Sequence, residues 1–317
     1  MVTQIQNITE KLRSNKRIRK IAWTIVYVVA VFLLGVGSSF LKQGLNKADN
    51  SKQAEILYEQ INPKDGYKLP VSYGDLGPHL LESGVIDYDA FAAIYEKGNS
   101  PLSADQVDIL QSGSDEQIVL TKENAHFLLN FFWAVGLANN NPILTDGPMV
   151  HGLILQDSNG KIEDFASTGG WTLGTKPVTE LYASLDLIPL TAEQQKMVEE
   201  VAAAVYRPCC NNSTLFPDCN HGMAMLGLLE LMASQGTTTD QMFEAAKYVN
   251  AFWFPQQALE IATYLQTNYW VDFVHADPRQ VVGRELASAS GFKMVHQSLV
   301  GSDEVKQAPS QGGGCSN

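Results

Sequence analysis

This sequence of 317 residues lacks the short motifs that mark several large protein classes. It contains no G-x-S-x-G, no H-E-x-x-H and no C-x-x-C-H pattern, which counts against α/β-hydrolase-type serine hydrolases, zincins and c-type cytochromes. Its Gly/Thr-rich loop, 167–175, has neither the lysine nor the helix start of a P-loop, so nucleotide binding is not expected. The sequence therefore identifies no substrate and leaves open whether the protein is an enzyme.

Basic residues are scarce outside the N-terminal segment. The chain carries 22 Lys and Arg residues against 34 Asp and Glu residues, a formal net charge of −12. Residues 1–20 hold six of the basic residues and one acidic residue, so the rest of the chain has a net charge of −17. No basic stripe runs through this acidic part, and nucleic acid is therefore not expected as a partner.

An uncharged run of 21 residues, Ile21–Leu41, predicts a transmembrane helix. At about 1.5 Å per residue it spans roughly 30 Å, the thickness of the hydrocarbon core of a bilayer. Trp23 and Tyr27 lie near its basic end, as interfacial aromatic residues often do. Because the basic segment Lys16–Lys20 precedes the run, the positive-inside rule predicts a cytosolic N-terminus and an extracytoplasmic main domain.

A cleaved signal peptide is the alternative interpretation of the same run. Basic, apolar and small residues follow one another in the order of a signal peptide, so cleavage of residues 1–39 stays open. The apolar part is, however, longer than the about 7–15 residues usual for signal peptides, which favours a retained single-pass anchor in the lipid bilayer. Both interpretations export the rest of the chain.

Composition and hydrophobic periodicity predict a mainly α fold. Hydrophobic residues are 45% of the chain and charged residues 18%, which excludes a largely disordered protein. We divide the chain into a basic cytosolic tail (1–20), the transmembrane helix (21–41), a stalk (42–62), an α-rich domain (63–300) and a flexible Gly/Cys tail (301–317). Apolar spacing and capping residues predict helices at 77–84, 87–97, 103–111, 121–137, 191–206, 220–235, 239–268 with a bend near Pro255, and 278–290.

One β-hairpin is predicted inside the α-rich domain, over 149–175. Its two arms, MVHGLILQ and KIEDFAS, are joined by Asp157-Ser158-Asn159-Gly160, and an Asn-Gly pair between apolar runs is typical of a hairpin turn. The fold class expected from the sequence is thus an N-terminal transmembrane helix followed by an exported helical domain with one inserted β-hairpin.

Three of the four cysteines lie within eleven residues: Cys209, Cys210 and Cys219. His221 follows two residues later, and Pro217-Asp218 is typical of the entry to a helix with Asp218 as its N-cap. Cys219 would then lie in the first helical turn, where the helix dipole favours a thiolate. Met225 lies four residues after His221 and therefore on the same helical face.

Thiolates, an imidazole and a thioether are ligands that soft metal ions prefer. We therefore predict a site for Cu(I), or in second place for Zn²⁺, with these ligands: Cys209, Cys210, Cys219, His221 and, as an additional or exchanging ligand, Met225 or Cys315. Cys315 follows three glycines in the tail, which would let it reach the cluster. The expected role is sequestration of the metal or its transfer to a partner at the membrane.

Disulfides are the main alternative use of these cysteines. An exported domain with four cysteines most often pairs them. Adjacent cysteines rarely bond to each other, so Cys219 would pair with Cys209 or Cys210, and the remaining one with Cys315. The protein would then be a disulfide-stapled binding or scaffold module, whose working surface we would expect near three tryptophans: Trp171, Trp253 and Trp270.

Thiol–disulfide exchange with a redox partner is the third interpretation that the sequence leaves open. It requires a reactive bond at the start of a helix, beside a second thiol and a mobile cysteine that resolves the intermediate. The cluster at 209–225 and the tail with Cys315 contain these parts. Metal binding, structural disulfides and redox exchange thus compete for the same side chains.

Overall fold

Helices make up most of the part of the chain that the computed structural model describes, which comprises residues 52–155, 160–302 and 305–308. The helices are α1 (52–61), α2 (Leu76–Glu82), α3 (Tyr88–Lys97), α4 (Ala104–Ser112), α5 (Ala125–Ala138), α6 (Pro142–Thr145), α7 (Pro148–Leu155), α8 (Ala166–Gly169), α9 (Val178–Leu181), α10 (Ala192–Ala204), α11 (Asn220–Ser234), α12 (Thr239–Trp253), α13 (Pro255–Tyr269), α14 (Pro278–Val281), α15 (Arg284–Ala287) and α16 (Ala289–Ser302). Two strands, β1 (Tyr67–Gly74) and β2 (Ser114–Leu120), pair in an antiparallel sheet. The predicted mainly α fold with one pair of antiparallel strands is confirmed.

The predicted transmembrane helix, Ile21–Leu41, lies outside the described residues, as do the basic tail 1–20 and Cys315. Within the described ranges, no helix is both long enough and apolar enough to cross a bilayer. The anchor and the extracytoplasmic location therefore remain predictions from the sequence.

Both ends of the described part pack against the domain. Helix α1 covers the described part of the predicted stalk and contributes Leu57, Tyr58 and Ile61 to a buried core that it shares with α13 and α16. At the other end, the side-chain amide of Gln256 donates to the carbonyl of Lys306 and accepts from the backbone N–H of Ala308, each at 2.8 Å. Residues 305–308 of the predicted tail are thus held on α13.

Capping residues start several helices where the sequence predicts them. Asp87 accepts a hydrogen bond from the backbone N–H of Ala90 at the start of α3. At α4 and α10, Ser103 and Thr191 form capping boxes with the glutamines three residues later, so that two N–H groups at each helix start are satisfied. These local signals explain why the predicted helices at 87–97, 103–111 and 191–206 are confirmed.

The predicted hairpin over 149–175 is wrong. Helix α7, a 3₁₀ turn at Ile162–Asp164 and helix α8 occupy the described part of this stretch, while residues 156–159 lie outside it. A short apolar run such as MVHGLILQ suits a buried helix as well as a strand, because periodicity alone does not separate the two. Pro148 favours the helix over the strand, because its fixed φ angle suits the first position of a helix.

The observed sheet joins two segments that are separated in the chain by α2, α3 and α4. In β1, Leu69, Val71 and Tyr73 are buried while their neighbours are more exposed, which is the alternation of a half-buried strand. Gln235 pairs with the backbone of β1 at Ser72. Its side-chain amide accepts from the Ser72 N–H and donates to the Ser72 carbonyl, each at 2.9 Å. No tight turn marks this pairing, so the sequence gives no hairpin signal for it.

The C-terminal helices are shorter than predicted. The segment 239–268 forms α12 and α13, which are separated at Phe254, so the bend predicted near Pro255 is confirmed as a helix boundary. The single helix predicted at 278–290 is wrong: this region forms α14, α15 and the start of α16. Gly283 and Ser288 have extended backbone between these pieces, and each interrupts the helical hydrogen bonding.

A second buried core, larger than the one that contains α1, includes residues of helices α5 and α11. These two helices touch at two glycines. A Cβ on Gly136 would lie 2.1 Å from the carbonyl oxygen of Met223, and a Cβ on Gly227 would lie 2.6 Å from the backbone nitrogen of Gly136. Asn139, which directly follows α5, donates a hydrogen bond of 3.0 Å to Glu230 of α11, so a polar contact also joins the two helices near the glycines. The backbones can touch here because neither glycine has a side chain.

Glu230 is an acidic residue with no exposed surface in this apolar core. One carboxylate oxygen accepts from Asn139, and the other, Oε1, has no hydrogen-bond partner among the described residues. Burial raises the pKa of Glu230 to about 8, although the neighbouring amides of Asn139 and Asn141 act in the opposite direction. Burial therefore favours the neutral, protonated form of this carboxyl group in the folded protein.

The glycine contact predicts a large effect of one added methyl group. We expect Gly136→Ala to lower the free energy of unfolding by about 1–3 kcal/mol or more, because the helices must separate to admit the Cβ. Urea denaturation measures the change. Gly301→Ala is the matched control, since Gly301 lies in α16 with no atom within 4 Å of an added Cβ. Equal stability of both variants would contradict the close contact.

Glu230 predicts a pH dependence of stability. Folding raises its pKa from 4.5 to about 8. The contribution of the neutral carboxyl group to the free energy of unfolding is therefore fully present below pH 4.5 and is lost as pH rises through 8. Glu230→Gln keeps a neutral side chain of the same shape and should remove this loss. Urea denaturation from pH 5 to 9 should show the variant gaining on the natural protein as pH rises. Parallel curves would contradict the buried neutral carboxyl.

Candidate metal centre

The loop between α10 and α11 carries the cysteines and folds back onto α10. The backbone N–H of Thr214 donates to the carbonyl of Val205 at 2.9 Å, and Leu215 N–H donates to Ala202 at the same distance. The Thr214 hydroxyl donates to the same Val205 carbonyl and is fully buried. These bonds fix the loop at its middle and bring its two ends, near residues 207 and 219, close together.

The guanidinium of Arg207 fills the inside of this loop. Its side chain is 2% exposed. The Nε atom donates to the sulfur of Cys219 at 2.9 Å, and Nη2 forms an ion pair of 2.8 Å with Asp218. Further bonds reach the carbonyl oxygens of Asn212, at 3.0 Å, and Phe216, at 3.3 Å. Burial opposes the charge of Arg207, but the neighbouring cysteine sulfurs raise its pKa above the ordinary value.

Helix α11 begins at Asn220, as predicted, but its N-cap is one residue later than predicted. Cys219, not Asp218, is its N-cap, and the Cys219 carbonyl accepts from the N–H of Met223 at 3.0 Å. Asp218 does not cap the helix because both of its carboxylate oxygens have other partners. Arg207 donates to one and the Asn212 amide to the other, each at 2.8 Å. The Cys219 sulfur therefore lies at the very start of α11.

Two sets of donor atoms meet at Cys219. In the first, the sulfurs of Cys209 and Cys219 and a ring nitrogen of His221 all lie within 4.8 Å of one another. The two sulfurs are 3.6 Å apart. In the second set, the sulfurs of Cys210 and Cys219 and an oxygen of Asp218 lie within 4.8 Å of one another. We call these the imidazole set and the carboxylate set. The cluster predicted at Cys209, Cys210, Cys219 and His221 is thus geometrically able to hold a metal ion.

The cysteines of the described residues are free thiols. The distance of 3.6 Å between the sulfurs of Cys209 and Cys219 exceeds the length of a disulfide bond, about 2.05 Å. The disulfide expected between Cys219 and one of its neighbours is therefore not formed in this structure. The expected pairing with Cys315 concerns a residue outside the described part.

His221 is held among aromatic rings. Its ring centroid lies 4.4 Å from that of Phe254 and 5.7 Å from that of Trp253. The Nε2 atom is buried and has no hydrogen-bond partner among the described residues. Buried polar atoms are normally paired, so this nitrogen is available for a ligand.

The surroundings of Cys209 and Cys219 act in opposite directions on the pKa values of their thiols. Hydrogen bonds from Cys209 and Cys210 lower the pKa of Cys219 most, and His221 and Arg207 lower it further against the effect of burial. The pKa of Cys209 is raised, first by its hydrogen bonds with Cys210 and Cys219 and then by burial. Of these two sulfurs, that of Cys219 therefore has the surroundings that favour the thiolate form.

The other predicted site residues lie elsewhere or outside the described part. Met225 is 1% exposed and belongs to the larger core, one turn along α11 from His221. Trp171 and Trp253 are buried and donate to backbone carbonyls, of Val85 at 2.9 Å and Ala125 at 3.1 Å. Only Trp270 of the three tryptophans is exposed, so they do not form the shared surface expected of a scaffold module.

A polar group on α5 lies beside the cluster. Asn130 donates to the hydroxyl of Tyr95 at 2.9 Å and lies 3.2 Å from the ring of His126. Burial, and then the nearby His221, lower the pKa of His126. His126 and Tyr95 also line a groove of about 1300 Å³. The spacing of His126 and Asn130 on one helix is visible in the sequence. The roles of Arg207 and Asn212 are not, because their contacts join residues across the loop.

The buried guanidinium predicts a large loss of stability when it is removed. Arg207→Met should lower the free energy of unfolding by about 3–5 kcal/mol, because it leaves Asp218 and the Cys219 thiolate without their cation. Arg279→Met is the control: Arg279 forms an exposed ion pair with Asp240, worth about 0–1 kcal/mol. Urea denaturation under reducing conditions measures both. A loss at Arg207 no larger than at Arg279 would show that the loop does not depend on its charge.

No protein-family model, no curated protein and no solved structure matches this chain. Its function is therefore inferred from the side chains of the two donor sets themselves.

Proposed function

We propose that this protein binds one soft metal ion, Cu(I) or Zn²⁺, through Cys209, Cys219 and His221, and that it sequesters the ion or transfers it to a partner. The observation that carries this proposal is the convergence of the three donor atoms within 4.8 Å. Two sulfurs and one imidazole nitrogen form the donor chemistry that such ions prefer.

The spacing of the sulfurs supports the proposal. Two thiolates bound to one tetrahedral Zn²⁺ ion at about 2.3 Å stand about 3.8 Å apart. The sulfurs of Cys209 and Cys219 are 3.6 Å apart, so an ion can bind between them with little movement of either side chain. The site therefore needs no rearrangement of the loop to accept its ligand.

The surroundings of the imidazole set also favour metal binding. The Arg207 N–H bond to Cys219 stabilises a thiolate, which is the form that binds metal. Metal-bound sulfur commonly accepts such hydrogen bonds from the protein. Cys209 is exposed, which gives an ion or an accepting partner a route to the site.

The identity of the ion depends on a fourth ligand. Cu(I) is stable with two or three soft ligands, so the imidazole set alone satisfies it. Zn²⁺ prefers four ligands, and Cys315 or a water molecule would supply the fourth. If Ile21–Leu41 is a membrane anchor, as its length and flanking charges predict, the site handles metal on the extracytoplasmic side of a bilayer.

Thiol–disulfide exchange is the second candidate function. The observation in its favour is the same distance of 3.6 Å, because Cys209 is exposed and could close a disulfide with Cys219 by a small movement. The two functions differ in what occupies the sulfurs: a metal ion in one case, and a reversible covalent bond in the other.

Metal content and thiol count test the proposal. We expect the full chain, purified in detergent without chelators, to hold one copper or zinc ion, and its clustered thiols to react only after the metal is removed. Cys209→Ser and His221→Gln should each lower the affinity at least about tenfold, because each removes one of three ligands. His151→Gln, an exposed histidine outside the cluster, is the control and should change nothing.

Two results would contradict metal binding. One is a protein without metal that also fails to take up Cu(I) or Zn²⁺ under reducing conditions. The other is a protein in which Cys209 and Cys219 are joined by a disulfide that a dithiol reduces reversibly, with no effect of added metal on the reaction. The second result would support the redox function instead.

A further inference from the structure

The two donor sets share one sulfur, that of Cys219. The imidazole set adds Cys209 and His221 to it, and the carboxylate set adds Cys210 and Asp218. An ion bound in either set would therefore keep one bond, to Cys219, while its other ligands change. Two alternative positions around a common ligand form a path along which an ion can move without being released.

The carboxylate set is the weaker of the two. Both oxygens of Asp218 already accept hydrogen bonds of 2.8 Å, from Arg207 and from Asn212. The Cys210 sulfur is also engaged, at 3.7 Å from the carbonyl oxygen of Asn212 and 3.8 Å from Asp218. An ion in this set must compete with these bonds, whereas His221 has a buried ring nitrogen, Nε2, without a hydrogen-bond partner among the described residues. The imidazole set is therefore the resting position.

The common ligand is held more firmly than the ligands that change. Cys219 lies at the N-cap of α11 and accepts the Nε–H bond from Arg207 at 2.9 Å. Cys209 and Cys210 lie on the loop, and Cys209 is exposed. Rotation of the Cys209 and Cys210 side chains can thus exchange one of these sulfurs for the other while Cys219 stays in place.

We propose that Cys210 is an exchange ligand, which takes over the ion from Cys209 during transfer to an acceptor that presents a pair of thiolates. This inference rests on the proposed function. The bond from the ion to Cys210 forms as the bond to Cys209 breaks. The proton of Cys210 leaves to solvent, and Cys209 becomes a free thiolate that takes up a proton. The ion keeps its oxidation state throughout, so no electron donor or acceptor is needed.

The exposure of Cys209 determines where the acceptor acts. When Cys209 leaves the ion, the coordination position that opens is the one on the exposed side of the cluster. A thiolate of the acceptor binds there, and its second thiolate then displaces Cys210. The bonds to Cys219 and His221 break as the ion leaves with the acceptor, and the freed thiolates take up protons from solvent. An acceptor with two neighbouring thiolates suits this sequence, because each step replaces one sulfur by another.

The rate of transfer, measured separately from affinity, tests this inference. The full chain is loaded with one equivalent of Zn²⁺ under anaerobic conditions and mixed with excess dithiothreitol and a chromophoric zinc indicator in a stopped-flow instrument. We expect Cys210→Ser to slow the loss of zinc at least about tenfold, while its zinc affinity stays within about threefold of the natural protein. Cys210→Ala serves as a second variant, so that an effect of the serine hydroxyl is recognised.

Cys209→Ser is the matched control on the adjacent residue. Because Cys209 belongs to the resting site, its replacement should lower the affinity at least about tenfold and speed the release of zinc. Opposite effects on the rate from two neighbouring cysteines would distinguish an exchange ligand from a resting ligand. Circular dichroism of both variants confirms that the helices are retained.

Three results would overturn this inference while leaving the proposed function intact. Cys210→Ser could bind and release zinc as the natural protein does, so that Cys210 takes no part. It could instead lose affinity as strongly as Cys209→Ser, so that Cys210 is a resting ligand. Tight binding of two ions per chain would mean that both donor sets are filled together. A natural protein that binds no metal would refute the proposed function itself.

Discussion

The candidate site depends on the buried charge of Arg207. A guanidinium that is 2% exposed must be matched by negative or polar groups, and here these are Asp218, the Cys219 sulfur and the carbonyls of Asn212 and Phe216. The need to satisfy this one charge determines the path of the loop from residue 207 to residue 219. It also occupies the carboxylate that would otherwise cap α11, so that a cysteine takes the first position of that helix.

The sequence predicts secondary structure correctly where residues close together in the chain determine it. It fails where contacts with residues far away in the chain determine it. Capping residues such as Ser103 and Thr191 fix helix starts by bonds to groups three residues away, so their helices are predicted correctly. The apolar run after Pro148 was assigned to a strand because its pattern suits both structures. The strands that do pair, β1 and β2, are joined across three helices, and no local pattern shows which segment each one meets.

The same distinction applies to the site. The cysteines and His221 lie close together in the sequence, so their clustering was predictable, and the structure brings Cys209, Cys219 and His221 together. The sequence could not show that Met225 lies in the core, since its spacing from His221 gives a shared helical face but not what covers that face. Nor could it show that Arg207 lies inside the loop, because the sequence around a single arginine does not indicate which groups will form hydrogen bonds or ion pairs with it.

The contact between Gly136 and Gly227 fixes some of the donor atoms to the core more firmly than others. Helices α5 and α11 touch backbone to backbone, so α11 cannot shift or turn without moving the main core. His221 belongs to α11 and Cys219 is its N-cap, so both are tied to the core, whereas Cys209 and Cys210 belong to the preceding loop. In the proposed metal site, differences in ionic radius would therefore be accommodated by the side chains of Cys209 and Cys210, and Cys219 and His221 would set the direction from which the ion is bound.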